Sequence, residues 1–593
     1  MEARTRHPAL GRFAVIALLA AAAPAAHAEW PVNGNPVSKQ PLPQESPSIV
    51  PDGHGGAFVA WDWYWVYLQR FSADGQYAVG WPDAGLSKAR VDSDHLIVDI
   101  DPKLVPDGSG GVFDVWHVAS EDCYYGCGRD PGSMRVAHYD ASGALAPDWP
   151  DPAVQVAADW IPGSERPLVA ANGLDGVLVS WGSIRTQSIG PHGELRWGAN
   201  GVAVCDGGWQ RTPAQLVGDG HGGAYEAWGD RRGAPTLFAQ HLSATGEPLL
   251  EPNGSRLSSD TYEFAPGSPA VVEDGSNGAV IVWSGRRGAH YQLYATRLNR
   301  GGGTPWPHDV QVAPGPGDEL GMRAVSVPGG DVVVVWRDGR RFADGDIFAQ
   351  RLGHNGRPLW GAGGVRVCGA LYPRGEVTVA SDDRGGVYVA WIDARPASEV
   401  YATHLDTDGA VTAGWPADGA PLSERISNHE CLYPAPSHAE TIALESTGDG
   451  RAIAVWNAFR VPTQVPCGSY LYTFAMKLTP AGPASAGEPQ GRAGLPPGPS
   501  PGPSAPTPAT LSVTAVGLVP GAVDISYQLP EAAPARLELF DVSGRKRVST
   551  PVRAGDGDAH LRLGGDPPLA AGVYFARIVQ GQHVARTRVV VLE

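Results

Sequence analysis

The sequence predicts an all-β chain, and three observations lead there. Gly and Pro contribute 78 and 54 of the 593 residues, well above ordinary usage, so turns are frequent. Between the turns run short stretches rich in Val, Ile, Tyr and Phe, while helix signals are scarce. One phrase also keeps returning: "PDGHGGAFVAW" at Pro51, "PDGSGGVFDVW" at Pro106, "GDGHGGAYEAW" at Gly218 and "SDDRGGVYVAW" at Ser381.

The recurrence is periodic. Eight copies each end a strand with Trp, at Trp61, Trp116, Trp181, Trp228, Trp283, Trp336, Trp391 and Trp456, spaced 47 to 65 residues apart. Periods of this size mark repeated supersecondary units. Within a copy the first strand is short and apolar, as in "PAVV". An Asp-Gly and Gly-Gly turn follows, supplying the positive φ that tight hairpins need. The second strand alternates toward its Trp, as in "AFVAW". After a variable loop comes a third strand, such as "LFAQHL" (Leu237 to Leu242) or "IFAQRL" (Ile347 to Leu352). A second Gly turn leads to a fourth strand expected to open on another Trp, at Trp197, Trp360 and Trp415.

Four antiparallel strands per copy, eight times over, describe an eight-bladed β-propeller. The strand-two Trp fits the wedge between neighbouring blades, where a large flat ring buries about 150–250 Å²; the competing reading of these rings as sugar platforms has less to support it. The segment "EWPVNGNPVS" from Glu29 matches a fourth strand in kind, and the eighth copy lacks its own. The N-terminal strand is therefore expected to complete the last blade and remove an exposed sheet edge.

Boundaries follow. A basic start, the apolar run "FAVIALLAAAA" and "AHA" before Glu29 read as a secretory signal peptide over residues 1–28. The propeller spans 29–482, a Pro/Gly-rich linker 483–510, and a second all-β unit 511–593. No later stretch is apolar enough to span a membrane. A net charge of −17 disfavours nucleic acid as a partner.

The last unit carries the segments "LELFDVSGRK" (Leu537 to Lys546) and "LAAGVYFARI" (Leu569 to Ile578), then a closing strand. These resemble the C-terminal sorting domain of type IX secretion cargo, which is similar to the Ig-like domain of the flagellar hook-capping protein. The resemblance implies an Ig-like β-sandwich, the type IX secretion machinery as partner, and a cell-surface or extracellular address in a Gram-negative-type bacterium. The propeller copies look like those of uncharacterised secreted bacterial proteins.

Function is expected on the face that carries the variable loops, since binding residues favour variable loops on rigid scaffolds. Four residues after the strand-two Trp, six copies place Arg: Arg185, Arg232, Arg287, Arg340, Arg395 and Arg460. In three of them Asp230, Asp338 and Asp393 stand two residues earlier, which suits an Asp–Arg pair pinning the loop. Arg185, Arg287 and Arg460 lack that Asp and are candidates for an anionic glycan or peptide. In "WDWYWVY", Trp63 and Trp65 are expected on one strand face and are candidates for carbohydrate stacking, with extra packing as the rival reading.

Six Cys in an oxidising compartment invite disulfides. Cys123 with Cys127, and Cys431 with Cys467, are the candidate local pairs; Cys205 and Cys368, three copies apart, are expected to stay unpaired. No zinc, nucleophile-elbow or phosphate-loop motif is present; Asp-rich spots such as Asp92 to Asp101 could take calcium but form no full calcium loop, so no cofactor or metal is expected. The leading expectation is an exported, non-catalytic propeller that binds a ligand, and so not an enzyme. The alternative is a glycan-active enzyme, sialidase-like or lyase-like, with its site at the axial opening.

Overall fold

The computed structural model describes residues 34–483 apart from a set of segments, of which 89–96, 121–132, 158–166, 207–213, 424–438 and 461–469 are the longest, and the strands between 512 and 591. The expected signal peptide, the linker and Cys123, Cys127, Cys431 and Cys467 lie outside the described residues. The chain forms two compact units, Met1–Pro489 and Gln490–Glu593. No helix among the described residues is long and apolar enough to cross a membrane.

The first unit is built from four-stranded antiparallel sheets in a propeller-like arrangement. The first sheet runs Glu45–Pro51, Ala57–Trp63, Trp65–Phe71 and Leu86–Lys88, each strand hydrogen-bonded to the next. The same order recurs along the chain, with Glu263–Phe264 as an extra strand in the fifth sheet. The eighth sheet begins Ala439–Ser446, Ala452–Arg460, Tyr470–Thr479, and its outer place is taken by Asn35–Pro36. There Asn35 faces Ala475 and Pro36 faces Phe474.

Innermost strands touch in a cycle. Glu45–Pro51 lies against Ile97–Pro106, and the series continues through Leu168–Ala171, Gln215–Gly218, Ala270–Glu273, Glu319–Val327, Arg374–Ser381 and Ala439–Ser446, which returns to Glu45–Pro51. Apolar clusters fill the wedges between consecutive sheets. Trp61, Phe71, Ile453, Val455 and Ala475 share one, joining the first sheet to the last. Trp116, Trp228, Trp283, Trp336, Trp391 and Trp456 are fully buried. Each such indole needs a flat floor: a Cβ on Gly254 (φ +84°) would lie 2.6 Å from Trp228, and one on Gly34 (φ +73°) 2.8 Å from Trp456. Only glycine meets both the left-handed backbone and the close approach.

Trp197, Trp360 and Trp415 do not open the fourth strands as expected. They sit in the preceding turn, and each indole N–H donates to a backbone carbonyl of the next sheet: Ala244 at 2.9 Å, Thr407 at 2.9 Å and Thr479 at 3.1 Å. A buried indole must satisfy its donor, and doing so clasps one sheet to the next.

The Asp-Gly turns explain the repeated phrase. Asp219 Oδ1 accepts the N–H of His221 and of Gly223, both at 2.8 Å, closing the turn. Its Oδ2 faces His241 on the third strand at 3.0 Å. The same carboxylate-to-third-strand pairing joins Asp52 to Arg70, Asp274 to Arg297 and Asp382 to His404.

The second unit consists of a three-stranded antiparallel sheet, Ser512–Val519, Ala522–Gln528 and Ala559–Gly564, and a four-stranded one, Lys546–Val552, Ala535–Asp541, Gly572–Gln580 and His583–Val591. Asp541 closes the turn after its strand by accepting the Arg545 N–H at 3.0 Å, and its other oxygen takes Arg547 at 2.8 Å. On the same strand, Glu538 accepts Arg577 and Lys546.

Candidate functional site

Five of the six repeated arginines are engaged by other groups of the fold. At Trp228, Trp336 and Trp391 the pattern Trp-x-Asp-x-Arg folds into one clamp. The indole N–H donates to the Asp two residues on, at 2.9, 2.9 and 3.1 Å. The same carboxylates, Asp230, Asp338 and Asp393, accept both the backbone N–H and the guanidinium of Arg232, Arg340 and Arg395. Each guanidinium lies over a third-strand ring: Phe238 at 3.8 Å, Phe348 at 4.1 Å and Tyr401 at 3.4 Å from the centroid. Burial raises the Asp230 pKa, but Arg232 and its N–H outweigh that and hold it below the usual range.

Arg185 and Arg287, which lack that Asp, are also engaged. Arg287 pairs with Asp260 and lies over Tyr262. Arg185 donates to the carbonyls of Asn200 and Gly201 at 3.2 and 3.1 Å. Arg460 ends the strand Ala452–Arg460, and its side chain is outside the described residues. Cys205 and Cys368 are buried, and Arg232 donates to Cys205 Sγ at 3.3 Å.

Trp63 and Trp65 are not on one strand. Trp63 ends the second strand of the first sheet and Trp65 begins the third, so they face one another across the hairpin. Period-two reasoning failed because one strand ends at Trp63 and the next begins at Trp65, with Tyr64 outside the described residues. Trp63 is partly buried, whereas Trp65 is 40% exposed.

Next to Trp63 stands a buried acid centre. Asp62 is 4% exposed, and its Oδ1 has no hydrogen-bond partner. Burial and then the charge of Asp101 push its carboxyl up to about 7; Glu45 adds to the rise, and Ser46 and Lys103 oppose it. Glu45 is the direct cross-strand partner of Asp62. Asp101 comes from the neighbouring second sheet, with Lys103 Nζ 3.6 Å from its Oδ1.

A β-bulge aims Asp101. In three sheets the first strand carries two residues opposite the interior Trp: Ser46-Pro47 against Trp61, Asp101-Pro102 against Trp116, and Gly321-Met322 against Trp336. The first residue of each pair is left-handed, with φ of 46°, 58° and 62°. Glycine suits that backbone best; Asp tolerates it at some cost. The second sheet accepts that cost, and the residue held there is the carboxylate whose charge acts on Asp62.

Other carboxyls are perturbed as well, Glu319 with Asp338 as its cross-strand partner. Burial pushes Glu319 up to about 8; Leu293 N–H donates to its Oε2 at 2.6 Å, and Oε1 has no partner. Glu226, also pushed up to about 7 by burial, accepts the Thr186 hydroxyl at 2.6 Å between the third and fourth sheets, which makes it a packing residue. Among the described residues no group of three or more His, Cys, Asp or Glu is arranged to hold a metal ion.

Residue reasoning passed over Asp62 and grouped Asp101 only with Asp-rich turns. One signal was available: the position after the interior Trp holds His117, Gly182, Gly229, Ser284, Arg337, Ile392 or Asn457 in the other copies, and an acid only here.

No family model and no curated protein matches the sequence. Solved structures do. A polysaccharide lyase, Uly1, is 9% identical, with 63% of this chain and 91% of that one covered and a TM-score of 0.38. The α-L-arabinanase of Penicillium chrysogenum is 13% identical, covering 64% and 98%, with a TM-score of 0.33. The β-propeller domain of the Trilobed protease from Pyrococcus furiosus is 9% identical, covering 62% and 96%, with a TM-score of 0.34. Neighbours that include a polysaccharide lyase and an arabinanase set aside the expectation of a non-catalytic binding protein, and with it the expectation that the chain is not an enzyme. A likeness this distant transfers no activity to the chain.

Proposed function

We propose that the first unit is an eight-bladed β-propeller bearing a glycan-active enzyme centre, in which Asp62 and Asp101 hold one proton between them. The cycle of innermost strands and the pairing of Asn35–Pro36 with the last sheet support the eight-bladed reading. The observation that carries the enzymatic reading is Asp62: a carboxyl pushed up to about 7 by burial and by a second carboxylate, on the hairpin that also carries the exposed Trp65. Exposed indole faces stack on the apolar faces of sugar rings.

The chemistry is hydrolysis. Asp101, whose side chain is 12% exposed, is the member of the pair that meets the substrate, and Asp62 behind it is the positioning residue that keeps the shared proton available near pH 7. The proton passes to the leaving glycosidic oxygen as the C–O bond breaks. Water supplies the new hydroxyl at the anomeric carbon, and its other proton returns to the pair.

Replacing Asp101 by Asn tests this. Loss of general acid–base catalysis lowers kcat by about 10²–10⁴, with the melting temperature nearly unchanged. An Asp101→Asn protein as active as the parent on the glycans it cleaves would sink the assignment.

For the flanking segments we infer export through a signal peptide at 1–28 and type IX sorting through an Ig-like second unit. The sheets of three and four strands support the Ig-like reading. Removing 511–593 should leave the first unit inside the producing cell; its normal appearance outside would refute the sorting role.

A further inference from the structure

We propose that the third sheet is a pH-released joint of the first unit: His138 grips it from the second sheet as an imidazolium, Glu226 grips it from the fourth as a neutral acid, and both grips weaken as pH rises. The inference is independent of the glycosidase reading.

One post recurs on the third strands. It faces the residue three before the interior Trp, and Arg70, His138, Arg297 and Arg351 occupy it in the first, second, fifth and sixth sheets. Each pairs with an acid of its own sheet, Asp52, Asp107, Asp274 or Asp331. Each also reaches a carbonyl of the next sheet: Ala141 at 2.9 Å, Pro191 at 3.2 Å, His354 at 3.3 Å and Gly385 at 2.9 Å. The arginines keep this grip across the working pH range, because their charge is permanent.

His138 keeps it only while both ring nitrogens carry a proton. Nε2 lies 3.0 Å from Asp107 Oδ2, and Nδ1 faces the Pro191 oxygen. Asp107 also accepts the N–H groups of Ser109 and Gly111 and the Ser109 hydroxyl, as an ionised carboxylate does. Carboxylate and carbonyl only accept, so the ring must donate twice and is the cation. Phe113 stacks on it at 4.2 Å and Trp149 meets it edge-on at 5.7 Å. Losing the proton sets a lone pair against the Pro191 oxygen. His241 and His404 stand at the same post without this demand: His241 Nδ1 has no partner, and His404 Nδ1 meets the Thr412 hydroxyl, which can donate.

The opposite seam calls for a proton as well. The third sheet carries Ser188 at its post and Asn172 in its turn, a pair without charge. Across to the fourth sheet, the Thr186 hydroxyl donates to Glu226 Oε1 at 2.6 Å. Glu226 is fully buried and its Oε2 has no hydrogen-bond partner. An ionised carboxylate there would leave a charged oxygen bare. Burial pushes this carboxyl up to about 7, against the Thr186 and Ser180 hydroxyls. The closed seam therefore binds a proton that the opened one gives up, and closure weakens as pH rises through about 7.

Hydrogen exchange of the full chain, read by mass spectrometry from pH 6 to pH 9 and corrected for intrinsic rates, tests this. Protection of Val177–Trp181 and Arg185–Ile189 should fall about tenfold or more over that range. His138→Arg supplies the permanent cation used in the first, fifth and sixth sheets, and Glu226→Gln keeps the neutral form. Each should remove part of the fall, and the double variant most of it. Constant protection in the parent overturns the inference, and so does a fall that persists undiminished in the folded variants. The nitrogen NMR signals of His138 at pH 6, identified by their loss in His138→Arg, give a check that does not depend on stability: a neutral ring in the folded parent overturns the inference too.

Discussion

The indole N–H of Trp336 donates to Asp338 Oδ2 at 2.9 Å, two residues along the same strand. That carboxylate also holds Arg340 at 2.6 Å, so a single buried acid ties the wedge between sheets to the loop that follows. Three copies share this geometry, which assigns their arginines to the scaffold.

Replacing Asp338 with Ala should cost about 3–5 kcal/mol, because it strands both a buried indole donor and a guanidinium. Arg287→Ala, at a half-open surface pair, should cost no more than about 1 kcal/mol. Chemical denaturation of the two variants checks the contrast; similar losses would mean that Arg287 is a structural element as well.

Asp62 makes stability depend on pH in a definite direction. Its folded carboxyl titrates at about 7, above the ordinary 3.8, so the folded state binds the extra proton between those values. Stability is highest below the ordinary value and falls as pH rises through about 7, by at most on the order of 4 kcal/mol. Asp62→Asn should therefore raise the melting temperature at pH 8 and leave it nearly unchanged at pH 4. If catalysis uses the shared proton, the parent's activity should also decline above pH 7 with a midpoint set by the pair, and that limb should move or vanish in the variant.

The turn carboxylates behave in the opposite sense. Burial raises the Asp219 pKa, but His241 and the turn N–H groups prevail and hold it below its usual range. Its contribution is present above the ordinary Asp value and is lost as pH falls through the lowered one. Asp219→Ala should cost about 3–5 kcal/mol at neutral pH, and the gap to the parent should narrow in acid. A constant gap from pH 7 down to pH 2, read from thermal melts, would show that the pair does not carry the acid limb.

Removing residues 29–40 takes away Asn35–Pro36 and the Gly34 floor beneath Trp456. The strand Tyr470–Thr479 then presents an open edge. The truncated protein should melt at lower temperature and associate at concentrations where the parent is monodisperse, as light scattering would report; an unchanged melt would show that the eighth sheet stands without its outer strand.

The sheet order was legible in the residues because each copy repeats its turn glycines, its buried Trp and its alternation, and all three agree. The clamp was half legible: Asp338 and Arg340 invite pairing, but nothing in the spacing says that Trp336 supplies the third partner. The acid centre was hidden for a different reason. Asp62 and Asp101 belong to different copies, and their meeting depends on a bulge that shifts register by one residue opposite Trp116. Pattern reading assumes an unbroken period of two, which a bulge violates. Trp63 and Trp65 misled in the same way, because a hairpin turns between them.

The strand at Asn35–Pro36 also bears on time. Gln44 Oε1 accepts the Thr473 N–H across 429 residues of chain, and Asn35 meets Ala475 beside it. Closing a loop of that length costs about 5 kcal/mol of chain entropy before any contact repays it. While a ribosome is still making the seventh sheet, the first cannot yet find its last neighbour, so the early sheets must wait unsealed. Folding should then finish in a slow step that follows synthesis of Thr479, and a chaperone that holds the unfinished chain has that whole interval in which to act.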